Sequence, residues 1–115
     1  MKIEGEGKLI RIFIGESDKL GHQALYEVFV MKAREMGMAG ATVLRGIEGF
    51  GARSLIHTAK ILRLSEDLPV VIELVDTAEK IDGFVKVADE LFEKAGCGGL
   101  ITEERARIIR YTTGK

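Results

Sequence analysis

Apolar positions recur along the chain with two alternating periods. Residues 8–14 (KLIRIFI) hold five aliphatic or aromatic side chains in seven positions and predict a strand. Ser17 or Asp18 is placed to cap a helix, on which Leu25, Val28, Phe29, Ala33 and Met36 share one face. Gly37 is its expected left-handed terminator. Residues 41–47 (ATVLRGI) predict a second strand, followed by the loop Glu48-Gly49-Phe50-Gly51-Ala52-Arg53. From 54 to 67 the residues Leu55, Ile56, Ile61, Leu62 and Leu64 fit neither period, so this stretch reads as a long, partly extended excursion. Residues 69–75 (PVVIELV) predict a third strand, with Pro69 at its first position. Thr77 can cap a second helix, whose apolar face is Ile81, Phe84, Val85, Ala88, Leu91 and Phe92, and which Gly96 ends. A tight turn at Cys97-Gly98-Gly99 and a last strand at 105–111 (RARIIRY) complete the series.

The order β-α-β-β-α-β is the split βαβ pattern. It predicts an α+β, ferredoxin-like sandwich in one domain, 1–115, with both helices on one face of an antiparallel four-stranded sheet. Such a sheet should be apolar only on the covered side. Here Ile10, Ile12 and Ile14 occupy one side of the first strand while Leu9 and Phe13 occupy the other. In the third strand Val70, Ile72 and Leu74 oppose Val71 and Val75. Burying one such side chain is worth ~1.5–3 kcal/mol, so the second apolar side needs a cover. Either further copies of the chain supply it, which is the expectation, or the 54–67 excursion folds over it.

Composition narrows the function. With 115 residues, 46% hydrophobic and 30% charged, the chain is neither disordered nor two domains. A net charge of -1 argues against a nucleic-acid coat protein. No apolar run approaches the ~20 residues of a membrane span, and Met1-Lys2-Ile3-Glu4 does not open a signal peptide. A single cysteine, Cys97, cannot form an internal disulfide, which points to the cytoplasm. The absence of Asn and the single Gln23, beside abundant charge, hint at a thermophile. Absent Asn also excludes the mechanism of acylphosphatases, small enzymes of this fold that need one.

Most chemical constellations are missing. His22 and His57 lie 35 residues apart and Cys97 stands alone, so no zinc spacing exists and no metal is expected. No nucleophilic triad and no Walker A motif can be assembled. Carboxylates such as Glu66-Asp67 and Glu103-Glu104 sit in polar stretches and read as solvated faces. The 105–111 strand offers only Tyr111 as an aromatic platform, against the RNA-recognition modules of this fold. What remains is glycines and arginines at strand ends. Gly49-Phe50-Gly51-Ala52-Arg53 and Cys97-Gly98-Gly99 can each expose successive backbone N–H groups as an anion nest, with Arg53, Arg107, Arg110 and Arg45 adding charge. The same residues can equally be two tight turns with solvated arginines.

The segments Ala39-Gly40-Ala41-Thr42-Val43, Gly49-Phe50-Gly51, His57-Thr58, Leu68-Pro69 and Ala106-Arg107-Ile108-Ile109-Arg110-Tyr111-Thr112-Thr113-Gly114 occur in the order and spacing of the PII nitrogen-regulatory signalling proteins, which the chain resembles from about Lys8 to Gly114. It is still more similar to an uncharacterised prokaryotic PII-like family, through RIFIGESDK, AGATVLRGIEGFGA, IHTAKILRLSEDLPVVIELVD and GLITEERARII. The resemblance implies a homotrimer with sheets packed inward and an adenine nucleotide (ADP, ATP or AMP) in clefts between subunits. By matching position it implies contacts from Thr42, Gly49, Phe50, Gly51, Ala52, Arg53, Gly98, Gly99, Leu100, Arg107 and Arg110. The excursion 52–67 would correspond to the partner-binding T-loop, with His57, Lys60 and Arg63 as basic contacts to a membrane transporter or cytosolic enzyme.

The pattern also departs from PII. No tyrosine lies between Gly49 and Pro69 for uridylylation. Ala52 separates Gly51 from Arg53, Leu100 stands where PII has a phosphate-contacting lysine, and Thr112 replaces an arginine. Each lost cation removes a contact of ~1.5–3 kcal/mol, so a diphosphate, monophosphate or cyclic nucleotide competes with a triphosphate, and Mg²⁺ is not specified. The expected function is therefore a non-enzymatic nucleotide sensor that controls a partner through the 52–67 loop. Two rivals are a trimeric structural or metal-tolerance protein like the CutA family, without nucleotide affinity, and a phosphohydrolase with Glu48 or Glu103 as general base.

Overall fold

The computed structural model describes residues 2–51 and 67–114. Its elements are β1 (Gly5–Gly15), β2 (Lys19–Leu20), β3 (Gln23–Ala24), α1 (Leu25–Glu35), β4 (Thr42–Arg45), β5 (Pro69–Asp76), α2 (Ala78–Ala95) and β6 (Leu100–Ile108). Four strands form one antiparallel sheet in the order β4-β5-β1-β6. With two helices, this is the expected ferredoxin-like α+β sandwich.

The core follows from the alternation read in the strands. Ile10, Ile12 and Ile14 of β1 and Val70, Ile72 and Leu74 of β5 are buried against Leu25, Phe29 and Ala33 of α1 and Ile81, Phe84, Ala88 and Leu91 of α2. Phe29 and Phe92 join the two helices in a tilted ring pair at 5.3 Å. Thr77 caps α2 as expected, its hydroxyl accepting from the Lys80 amide at 3.3 Å, and Gly96 ends that helix in the left-handed region.

Three elements differ from the sequence expectation. Neither Ser17 nor Asp18 caps α1. The Asp18 carboxylate instead accepts from the Gly15 amide at 2.9 Å, and its carbonyl accepts from the Leu25 amide at 2.8 Å. These bonds hold the inserted hairpin of β2 and β3, and α1 begins only after it, with no side-chain cap on Ala24. β4 is shorter than 41–47, because Gly46 turns away while its amide bonds the Pro69 carbonyl at 2.7 Å. β6 covers 100–108 rather than 105–111. It pairs with β1 from Phe13↔Leu100 to Gly5↔Ile108, and as an edge strand it tolerates the charged stretch Glu103-Glu104-Arg105 that hid its first half. Tyr111 lies beyond it, in the short pairing of Ile3 and Lys2 with Tyr111 and Thr112.

The turn between α1 and β4 is held from three sides. Asp76, 1% exposed, accepts from the Ala39 amide at 2.8 Å through one carboxylate oxygen and from the Thr77 amide at 2.7 Å through the other. The Tyr111 hydroxyl donates to the Ala39 carbonyl at 2.9 Å. Lys80 Nζ donates to the last carbonyls after α1, Met36 at 3.3 Å and Gly37 at 3.1 Å. Replacing Asp76 with Ala leaves two inward amides without their anionic acceptor. We expect a loss of about 3 kcal/mol of unfolding free energy, read from urea titrations at one fixed protein concentration. An unchanged midpoint would contradict this role of Asp76.

Candidate functional site

Among the described residues, no helix lies on the sheet's other face. Its residues form rows across the strands, fixed by the register. One row is wholly apolar: Leu44, Val71, Phe13 and Leu100. The next is polar: Thr42, Glu73, Arg11 and Thr102. A third joins Val75 and Leu9 to Glu104. Leu44, Val75 and Leu100 are exposed, whereas Leu9, Phe13 and Val71 are half-buried. The two-sided apolar character of β1 and β5 is therefore real, and the described residues leave this side open.

An ion network crosses the open face. Arg11 Nε donates to Glu73 Oε2 at 2.8 Å, and Arg11 Nη1 to Glu104 Oε2 at 3.3 Å. The Glu73 hydrogen bond holds the guanidinium pKa above its ordinary value. On the helix side, Lys8 Nζ donates to Asp82 Oδ1 at 2.7 Å and approaches Glu103 Oε2 at 3.4 Å, and Asp82 raises the lysine pKa in the same way. The sequence reading did not single out Arg11 or Glu73, and it took Glu104 as part of a solvated face, where the structure pairs it with Arg11. Its available signal was one cation and one anion, each alone amid aliphatic residues of an interior strand.

The residues expected to contact a nucleotide divide between the two edges of the sheet. Thr42 begins β4 at one edge, and Gly49, Phe50 and Gly51 follow that strand. Gly49 has φ 145°, a conformation open to glycine, and a Cβ there would come within 3.2 Å of the Pro69 ring. Ile47 and Phe50 of this loop are 95% and 70% exposed. Gly98, Gly99 and Leu100 lead into β6 at the opposite edge, three strands and about 14 Å away. Both glycine segments lie at the same end of the sheet, because Leu100 pairs with Phe13 and Pro69 with Gly15. Arg107 pairs with Glu6 at the other end of β6, about 24 Å from Leu100 along the strand. Arg107 and Arg110 are exposed, and no ion pair of the described residues engages either. Arg45, in contrast, is paired with Glu16. One chain thus brings the Thr42 strand and the Gly49–Gly51 loop together but unites neither with Gly98–Leu100, and it sets Arg107 and Arg110 apart from both. Ala52, Arg53, His57, Lys60 and Arg63 lie outside the described residues. Among the described residues, no group of three or more His, Cys, Asp or Glu could hold a metal ion, and no helix is long and apolar enough to cross a membrane.

The turn before β6 has a packing reason for its glycine. A Cβ on Gly99 would strike the Phe92 ring and come within 2.9 Å of the Phe13 carbonyl, whereas one on Gly51 would meet nothing within 4 Å among the described residues.

Comparison with known proteins agrees with the fold. The sequence matches the model of the DUF190 family, described as "Uncharacterized ACR, COG1993", over residues 7–108. A UPF0166 protein of Aquifex aeolicus (strain VF5) is 38% identical over 102 residues, covering 89% of this chain and 92% of that relative. Among solved structures, CPII from Thiomonas intermedia K12, bound to ADP, AMP and acetate, superposes with a TM-score of 0.63 at 13% identity, over 92% of this chain and 91% of that one. A putative PII-like signaling protein from Thermus thermophilus gives 0.62 at 15% identity, over 91% of each chain. At such identities the likeness concerns the fold.

Gly99→Ala should lower the melting temperature through overpacking of about 1–3 kcal/mol, while Gly51→Ala changes it little. Scanning calorimetry of both variants checks the contrast, and equal shifts would refute the packing explanation for Gly99.

Proposed function

The chain belongs to the DUF190 family, and from that premise we propose that it is a PII-like, non-enzymatic sensor that binds an adenine nucleotide between the subunits of a homotrimer. The observation that carries this reading is the separation of the candidate residues onto opposite edges of one sheet. A pocket using both edges needs more than one copy. The edges also offer apolar side chains for such contact: Val43, Leu44, Ile47 and Phe50 on one, Leu100 and Ile109 on the other. Contact between unlike surfaces is heterologous, and it closes as a ring when the rotation between neighbours divides a full turn. The sheet faces turn inward in that ring, which removes their apolar rows from water.

In the proposed cleft, Thr42, Gly49, Phe50, Gly51, Ala52 and Arg53 of one copy surround the base and ribose, and the backbone around Gly98, Gly99 and Leu100 meets phosphate. Arg107 stands too far from Leu100 on its own strand to serve the same phosphates, so Arg107 and Arg110 come from a neighbour. CPII carries ADP and AMP in its solved form, which supports nucleotides with fewer phosphates as ligands. The lack of a lysine at Leu100 and of an arginine at Thr112 acts in the same direction. Nucleotide occupancy would bias the segment 52–67 between states that dock on, or release, a transporter or cytosolic enzyme through His57, Lys60 and Arg63. A ligand achieves this only by binding one state better than the other.

Two measurements test the proposal together. Sedimentation equilibrium should give three times 12.6 kDa. Calorimetric titration with ATP, ADP, AMP and cyclic nucleotides should show saturable binding, with Arg107→Ala weakening it at least about tenfold while the assembly persists. No heat with any nucleotide at millimolar concentration would overturn it.

A further inference from the structure

The bend that leaves β4 is shaped against one ring. Beyond the last ladder pair of that strand, Arg45 with Val70, the Gly46 amide donates to the Pro69 carbonyl at 2.7 Å. A Cβ on Gly46 would lie 2.9 Å from Pro69 Cγ, and one on Gly49 would lie 3.2 Å from the same atom. Both glycines thus turn their bare side toward a single ring carbon. Between them Ile47 and Glu48 are exposed. The bend is therefore not held by burying its own side chains; what shapes it is the fit of its backbone to the ring.

The ring itself does not give way. A pyrrolidine has no free side-chain torsion by which to swing aside. Its place is also fixed from β1. Pro69 pairs with Gly15, the Leu68 carbonyl accepts from the Glu16 amide at 2.8 Å, and the Asp67 carboxylate accepts from the Ser17 amide at 3.1 Å. Val70, next along β5, is buried. Pro69 is the chain's only proline. Proline adds nothing to strand pairing, so the distinct contribution of this ring is to the bend that rests on it.

Directly after the bend come Phe50 and Gly51, in the loop that the proposed function sets around base and ribose. A rigid mould ahead of that loop holds its backbone in one shape before ligand arrives, and a preformed loop binds more tightly than one ordered on binding. We infer that Pro69 is a positioning residue for nucleotide binding: its ring, received by Gly46 and Gly49, fixes the direction in which Phe50 and Gly51 leave the sheet. This inference rests on the nucleotide reading of the loop but not on which copy supplies the arginines.

Two glycines against one carbon make a size exchange the test. Gly46 does not adopt the left-handed backbone, so the ring is the nearest obstacle to a methyl group there. Calorimetric titration with ADP is run on the full chain, Gly46→Ala, Pro69→Ala and the double variant, with folding verified by far-ultraviolet circular dichroism and mass by sedimentation. Gly46→Ala should weaken ADP at least about tenfold and Pro69→Ala at least about threefold. The double variant should regain affinity over Gly46→Ala, because its methyl group enters the space of the missing ring. Unchanged affinity in Pro69→Ala, or losses that simply add in the double variant, would overturn the inference. A purely structural role predicts lower melting temperatures at unaltered affinity. Phe50→Trp supplies the one tryptophan of an otherwise tryptophan-free chain and reads the loop without ligand. Adding Pro69→Ala to it should lower the fluorescence anisotropy; equal anisotropies would also overturn the inference, even if Gly46→Ala fails to fold. A folded parent that gives no heat with ATP, ADP, AMP or a cyclic nucleotide would instead remove the proposed function and the binding role with it, while the anisotropy contrast would still decide whether the ring shapes the bend.

Discussion

The sheet has more apolar surface than the described residues cover. Two helices seal one side, and the strands that fill that core carry Leu9, Phe13, Val71 and Val75 on the other. Such a sheet must be closed by something further, and the hydrophobic effect sets the scale: each aliphatic side chain left in water forgoes ~1.5–3 kcal/mol. The proposed ring answers that deficit of cover, while the strand order divides the candidate residues between the edges.

The architecture was legible because its signals were of the most robust kind. Alternating aliphatic residues in β1 and β5, the helical period from Ile81 to Phe92, and the caps at Thr77 and Gly96 have local causes. What escaped the sequence was either aperiodic or non-local. The hairpin of β2 and β3 is only two residues per strand, and it is held by Asp18 bonds to Gly15 and Leu25, so it leaves no periodic trace. The first half of β6, with Glu103 and Glu104, reads as a solvated stretch because its partner, β1, and not its own composition, makes it a strand.

The candidate site was legible as residue types and illegible as geometry. Glycines and arginines at strand ends mark places where an anion can approach. Spacing along the chain says nothing of which edge each occupies, and here the strand order separates Thr42 from Gly99, while the length of β6 separates Arg107 from Leu100. The Arg11 network was missed for the opposite reason. Period-based reading discounts a lone charge in an aliphatic strand, although such a charge is held there only when a cross-strand partner such as Glu73 meets it.

The two edges of the sheet are unlike one another, and this asymmetry carries a hazard. Contacts between unlike edges have no built-in end, and copies joined at the wrong angle would run on as an open filament. The inclination between neighbours, which no single side chain dictates, is then as much a requirement for a discrete particle as any residue in the cleft.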